Sequence, residues 1–445
     1  MKNVSLSYFY KLFGLVLSLS FLLFSVSFGA ISIHIEKGMA KPYPVALVPF
    51  GGNASTQTKN DLLNIIDKDL LNSGRFDLLA ESKMPQKPDT IADLNLHDWA
   101  KSKVEFVIIG QVNQKANNSY DVSFYLISQL GGRSLIGQAF KDITQNQMRA
   151  LAHHISDLIY QGITGFPGYF STKLAYIEIL NPYQKENAIY KLVVSDYDGF
   201  NPQTLLKQRG IPIASPAWSP NGRSIAYVSY IKGRMAIFSI DVTTGKRKLI
   251  SNLEGINSAP SYAPNNQEMA LALSKGSSYF TNIYLFNLEK HQLQKLTSVG
   301  INTSPTFAPN GKDILFTSNR SGLPQVYQLA IGSDYPKRLT FNGVQNMDAQ
   351  YTPNGKNIVF MHQEARGGQL HIAKQTISNG DLTVLTDGNV DKSPSISPNG
   401  QMIIYTRQLN SGKVNLAMVS IDGQVHLDLP ATEGNVQSPA WSPFL

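Results

Sequence analysis

Cysteine is absent from all 445 residues. That removes thiol nucleophiles, disulfides, iron–sulfur clusters and cysteine-ligated zinc from consideration. It names no compartment, because exported bacterial proteins often lack cysteine. Charge is scarce as well. Asp, Glu, Lys and Arg make up 16% of the chain, against about 25% in an average globular protein. The net charge is +8, but no dense basic run follows the first residues, so a nucleic-acid partner is not expected. What is plentiful is strand and turn material. The 34 Gly, 23 Pro and 20 Tyr residues favour a turn-rich β protein over a helical bundle. A chain of this length exceeds one ordinary core and implies two or three domains.

Long apolar runs are absent except at the start. Lys2 and Lys11 precede an apolar stretch from Leu12 to Phe24, and the small residues Ser25, Ser27, Gly29 and Ala30 follow. This is the order of a secretory signal peptide. The run is short for a membrane span, which needs about 20 apolar residues. Ser27 and Gly29 suit the −3 and −1 positions, so residues 1–29 are expected to be removed and the mature chain to begin at Ala30. An uncleaved anchor is the alternative. No Cys follows the site, which excludes a lipoprotein anchor, and a soluble exported protein is expected.

A repeat governs the second half. Ser215-Pro-Ala-Trp-Ser-Pro-Asn-Gly222 returns as Ser304-Pro-Thr-Phe-Ala-Pro-Asn-Gly311 and Ser393-Pro-Ser-Ile-Ser-Pro-Asn-Gly400, with weaker copies from Ser258 and Asp348. A truncated copy, Ser438-Pro-Ala-Trp-Ser-Pro443, ends the chain. The second prolines fall at 220, 264, 309, 353, 398 and 443. Each unit reads as four short strands with a Pro-Asn-Gly turn after the first, where glycine takes positive φ cheaply. The second strand, as in Ile225-Ala-Tyr-Val228, is apolar on both faces and suits a sheet buried between neighbours. Four strands per unit of about 40–50 residues is the signature of a β-propeller. Six first strands predict six blades over residues 170–445. The last copy stops after one strand, and the stretch from Thr172 supplies three (Leu174–Glu178, Ile189–Val194, Gln203–Leu206). The C-terminal strand is therefore expected to complete the first blade and close the ring.

Residues 38–165 differ in pattern. Val45–Phe50, Phe106–Gly110 and Tyr120–Ile127 read as strands. Leu62, Leu63, Ile65, Ile66, Leu70 and Leu71 mark a helix over Thr56–Ser73, stopped by Gly74. Further helices are expected over Leu96–Lys101 and Gln145–Gln161. This predicts a small α/β domain, with a linker at Gly162–Gly168. Ahead of it, residues 30–37 carry Ile31, Ile33 and Ile35 alternating with Ser32, His34 and Glu36. Such a segment is either an edge strand of the α/β domain or a detachable strand that adds to a partner's sheet.

Chemistry is hard to find. There is no Gly-x-Ser-x-Gly elbow, P-loop, dinucleotide fingerprint or His-Glu-x-x-His. No catalytic residue, cofactor site or metal site is assigned. His153 and His154 are adjacent on a helix, point about 100° apart, and read as solvated or capping side chains. Asp196-Tyr-Asp198-Gly199 has a faint calcium-loop character but carries Lys207 where the twelfth-position glutamate is needed, so a turn is expected. Trp218 and Trp441 read as core.

Taken together, Val48-Pro-Phe50, Val194-Ser-Asp-Tyr-Asp-Gly199, Ser215–Pro220, Leu273-Ser-Lys275, Gln325-Val-Tyr327, His371-Ile-Ala-Lys-Gln375 and Ser438–Pro443 resemble the TolB family of the Tol-Pal envelope system, from the signal segment to the last residue. The resemblance implies a non-enzymatic periplasmic adaptor with no cofactor. Its propeller would bind Pal, an outer-membrane lipoprotein, giving peripheral membrane association through Pal. Its N-terminal segment would engage TolA, and the system supports outer-membrane integrity and constriction at division. Ile31, Ser32, Ile33, His34, Ile35 and Glu36 lie where the family's TolA-binding segment lies, which favours the detachable strand; the family's usual version is more acidic and valine-rich. For Pal, the loops leading into the first strands (residues 255–259, 300–304, 344–348 and 389–393) point to Ala259, Asn302, Thr303, Gln345, Asn346 and Asp348. Ile256 stands where some relatives carry histidine. A monomer is expected. The rival readings are a propeller enzyme, an exported hydrolase or lyase working in the central channel, and a peptidoglycan binder.

Overall fold

The computed structural model describes residues 32–35, 41–274, 280–430 and 432–445. The signal segment 1–29, Ala30 and two members of the alternating segment, Ile31 and Glu36, lie outside the described residues.

After a short strand β1 (Ser32–Ile35) the chain builds an α/β unit. Its elements are β2 (Tyr43–Leu47), α1 (Thr56–Asn72), β3 (Phe76–Leu78), α2 (Leu96–Trp99), β4 (Phe106–Gln114), β5 (Tyr120–Ser128), β6 (Arg133–Ile143) and α3 (Met148–Thr164). The sheet order is β3-β2-β4-β5-β6, parallel across β3, β2 and β4 and antiparallel beyond. Period-two alternation decides what each strand buries. Val45, Ile108, Val122 and Phe124 face the core under α1 and α3, while Ala46, Val48, Val107 and Ile109 pack with Trp99 on the other side. Helix α1 begins because Ser55 Oγ accepts the Thr58 N–H at 3.1 Å, a side-chain cap for an otherwise orphan donor. Leu62, Ile66 and Leu70 then recur every four residues on its buried face.

Three details depart from the sequence reading. Strands β3 and β6 were not expected. The helix expected from Gln145 starts as a 3-10 turn, Gln145–Gln147, held by a Thr144/Gln147 capping box, and the α-helix itself runs on to Thr164. The Gly162–Gly168 stretch is not slack: Gly162 lies inside α3 and Gly165, at φ 77°, ends it. The following Tyr169 and Phe170 are buried in an aromatic cluster with Tyr160, Tyr197 and Trp441. The core is therefore continuous from the α/β sheet into the propeller.

The remainder forms six radial sheets. Blade one comprises, in spatial order, Asn435–Trp441, Lys173–Leu180, Ile189–Asp196 and Gln203–Arg209. In its innermost pair, Trp441 lies opposite Leu174 and Asn435 opposite Ile179. Blades two to six start at Ala214–Trp218, Asn257–Tyr262, Asn302–Phe307, Gln345–Tyr351 and Val390–Ile396. Second strands are buried on both faces. In blade two, Ile225 and Tyr227 pack toward blade one while Ala226 and Val228 pack toward blade three.

Every inner strand is interrupted once. The register shifts at Ser215, Ala259, Ser304, Asp348, Ser393 and Ser438, and each of these residues has φ between 48° and 54°. The Ser-Pro repeat of the sequence thus marks a bulge.

Strand β1 corrects one reading. It is not an edge strand of the α/β domain. It lies antiparallel on Val425–Asp428, the outer strand of blade six, with Ser32 opposite Asp428 and Ile35 opposite Val425.

Candidate partner-binding mouth and domain interface

One end of the ring carries the loops that enter each inner strand and the loops between second and third strands. Ile211, Leu253, Val299, Ile301 and Phe341 from the first kind, and Phe280 and Leu409 from the second, are all exposed there. A monomer rarely displays so many large apolar groups around one rim without a partner to cover them.

The loops are stiffened by a polar position that recurs with the blade repeat. Asn257 Nδ2 donates to Leu253 O at 2.7 Å, Asn302 Nδ2 to Val299 O at 3.0 Å, and Asn346 Nδ2 to Asn342 O at 2.8 Å. In blade six the position is Asp391, which accepts the Gly388 N–H at 3.2 Å. All four are fully buried. Each of the last three is gripped by a residue just beyond the second strand's end or within it. Arg320 donates to Asn302 Oδ1 at 2.9 Å, His362 Nδ1 lies 2.8 Å from Asn346 Oδ1, and Arg407 holds Asp391 at 3.0 and 3.1 Å. Burial disfavours the Arg407 charge, but hydrogen bonds from its guanidinium to Asp391 more than compensate and raise its pKa.

Of the sequence-selected residues, Thr303 and Gln345 are half-buried at the rim. Asn302 and Asn346 lie beneath it. Ala259 and Asp348 sit deeper, at the bulges that line the central channel. That channel holds a cavity of about 440 Å³. Asp348 is the single ionisable group on its described wall, and Ser304 Oγ donates to it. Burial pushes the Asp348 carboxyl up, partly offset by that hydroxyl. Acid–base catalysis in the channel would need a second titratable partner. Asn257 and Asp391 escaped the sequence reading, although their spacing from Asn302 and Asn346 follows the blade period and could have found them.

The opposite end of the ring carries the α/β domain. Arg75 Nη2 donates to Gln401 Oε1 at 3.1 Å, and Asn399 Nδ2 to Pro167 O at 2.8 Å. The centre of this interface is charged. Arg149 on α3 binds Asp196 at 2.6 Å and Asp198 at 2.5 Å, both in the turn region of blade one. Lys173 pairs with Asp196 from the other side. Burial works against the Asp196 carboxylate, yet Lys173 and Arg149 hold its pKa below the ordinary range. The Asp196–Gly199 motif is therefore a turn, as expected from the sequence. His153 is a correction: it is neither solvated nor a cap. It is buried, and its Nδ1 lies 2.8 Å from Asp69 Oδ2, whose other oxygen accepts the Tyr197 hydroxyl at 2.7 Å. The i→i+4 spacing from Arg149 on one helical face was the available signal. Asp69, His153 and Asp198 bring three donors within 4.8 Å, but Asp69 is spent on His153 and Tyr197 and Asp198 on Arg149, so the cluster reads as an ion-pair network.

An α/β module seated on one end of a six-bladed ring, with an apolar rim at the other end, defines the class: a propeller-based binding protein. Family models agree in detail. The model described as TolB amino-terminal domain matches residues 31–135, and that described as TolB beta propeller domain matches residues 160–445. The Tol-Pal system protein TolB of Hamiltonella defensa is 37% identical over 433 residues, covering 97% of this chain and 99% of that one. The Tol-Pal system protein TolB of Coxiella burnetii is 40% identical, covering 94% and 95%. The crystal structure of TolB from Acinetobacter baumannii superposes with a TM-score of 0.83 at 33% identity, over 93% of this chain and all of that one. The chain belongs to the TolB family, the non-enzymatic periplasmic adaptors of Tol-Pal systems.

Proposed function

We propose that the apolar-rimmed mouth captures Pal and that the segment Ile31–Glu36 engages TolA, so that the chain links the two in support of outer-membrane integrity and constriction at division. The observation that carries the Pal assignment is the ring of exposed apolar side chains, Phe280, Val299, Ile301 and Phe341 among them, on the end of the propeller that the α/β domain leaves uncovered. Thr303 and Gln345 meet the partner directly. Asn302 and Asn346 act through loop shape, because their side chains are buried and committed to bonds inside their own loops. Ala259 and Asp348 shape the floor, where a group inserted down the axis would end. A charged bulky residue at Thr303 or Gln345 should weaken capture of purified Pal; unchanged capture moves the site elsewhere.

For TolA, the support is the four-residue strand on the outer edge of blade six. So short a strand is held by few backbone bonds and can be exchanged for another sheet edge. Deleting residues 30–36 should abolish TolA binding and leave Pal binding intact.

The same reading takes residues 1–29 as an export signal, 30–37 as the partner-binding segment, 38–165 as the α/β domain and 170–445 as the propeller, with a monomer as the working unit. It takes the strand Asn435–Trp441 as the latch of the ring. Removing residues 435–445 should then cost far more stability than an equal cut in a surface loop, and intact mass of the exported chain reads the cleavage point.

A further inference from the structure

The charge balance at the domain interface depends on one imidazole. Three carboxylates meet there, Asp69 from α1 and Asp196 and Asp198 from blade one. Two permanent cations oppose them, Arg149 from α3 and Lys173 from the start of the second strand of blade one. All three acids are nearly inaccessible; the side chains of Asp69, Asp196 and Asp198 are 2%, 5% and 10% exposed. With a neutral His153 the network keeps one uncompensated negative charge in a water-poor interface, which is costly.

The geometry of His153 points the same way. Its Nδ1 is committed to Asp69. Its Nε2 is buried without a hydrogen-bond partner among the described residues and lies 4.0 Å from Asp196 Oδ2. A neutral ring donating through Nδ1 would turn its Nε2 lone pair toward a region of negative charge. A doubly protonated ring places an N–H there and completes a three-to-three match. The rings packed against it are neutral: Tyr197 lies edge-on at 5.5 Å between ring centroids, and Tyr169 stands behind it. A fourth carboxyl, Asp157, is half-buried nearby and interacts with Asp69. Asp157, further along α3, donates nothing; it accepts the Phe170 and Ser171 N–H groups. Around the rim of this interface, Arg75 faces Asp422 at 3.7 Å.

We propose that His153, with Asp69, Asp196, Asp198, Arg149 and Lys173, is a proton-operated clasp that fixes the α/β domain to blade one. When the imidazolium is present the domains are locked. When it deprotonates, Asp196 and Asp198 face a lone pair, and the α/β domain gains freedom relative to the ring.

The direction follows from linkage. Burial lowers the His153 pKa, but Asp69 and then Asp198 outweigh it and the net value is raised above the ordinary 6.5. A histidine whose folded pKa is raised contributes stability that is complete below the unfolded value, about 6.5, and lost as pH climbs through the folded one. The clasp is therefore closed in mildly acidic medium and released in alkaline medium.

The absence of cysteine makes the test direct. Spin labels placed through Asn60→Cys on α1 and Lys246→Cys on blade two of the otherwise intact chain report the interdomain distance by pulsed dipolar spectroscopy. One narrow distance is expected at about pH 5.5, with a second, broader population growing toward about pH 8.5. In His153→Gln that second population should be present at both pH values. Asp69→Asn, which keeps an acceptor for His153 but removes the charge, should move the transition at least one pH unit lower. A distance distribution that ignores pH in the unsubstituted protein overturns the clasp. So does a pH response that survives in His153→Gln. If His153→Gln does not fold, an Asp69→Asn transition at an unchanged pH overturns it equally.

Discussion

Trp441 Nε1 donates to Thr172 Oγ1 at 2.7 Å, joining residues 269 positions apart at the base of blade one. The indole is nearly buried and meets the Tyr169 ring edge-on at 5.7 Å, and it sits in the same core that runs under α1 and α3. Its loss should therefore be felt in both halves of the molecule. Trp441→Ala is expected to cost about 3–5 kcal/mol, and calorimetry should show the whole unfolding transition shifting down. A drop confined to one of two separate transitions would contradict the shared core.

Asp391 is fully buried and its carboxylate depends on Arg407. Truncating the guanidinium strands a buried charge, so Arg407→Met should destabilise by about 3–5 kcal/mol. The double substitution with Asp391→Asn should recover much of that loss, because the orphaned charge is gone. Denaturant midpoints of the two single variants and the double close the cycle.

Asp348 carries the opposite lesson. Burial raises its carboxyl pKa and Ser304 only partly offsets this. Above the unfolded carboxyl value, about 3.9, the unfolded chain ionises this group while the folded chain holds its proton, so the penalty on folding grows until pH passes the folded value and stays constant beyond it. Asp348→Asn should raise the melting temperature at neutral pH, with the gain vanishing below about pH 4. Asn also tolerates the left-handed backbone at this bulge, φ 53°. A melting temperature unchanged at pH 7 would show that the channel solvates the carboxylate fully.

Gly343 opens the loop into blade five with φ 73°, and an added Cβ would lie 2.5 Å from His362 Cε1 and 2.7 Å from the Gln363 carbonyl oxygen. His362 is the residue that grips Asn346. Gly343→Ala should therefore reduce stability by about 1–3 kcal/mol and weaken Pal capture as well, since the rim beside Gln345 must shift. Pulldown and melting curves on the same preparation separate the two effects.

Much of this was legible in the chain itself. The proline spacing near 45 residues counted the blades, and the twice-apolar second strands predicted burial between neighbours, as Ile225–Val228 confirms. Periodicity located α1 because Leu62, Ile66 and Leu70 lie on one face. Strand β6 escaped because its side chains are mostly exposed, so no apolar alternation announces it. Strand β3 is three residues long, too short to carry a period.

The composition and repeat of the chain determined its class, its blade count and the α/β module ahead of the ring, because each is carried by local patterns of apolar spacing and turn residues. Tertiary structure alone decided that His153 meets Asp69 and Tyr197, that Asp196 and Asp198 face Arg149 and Lys173, and that β1 lies on blade six. Those contacts join residues 23 to 396 positions apart, and neither helical nor strand periodicity encodes which distant surface a buried charge or a short edge strand will find.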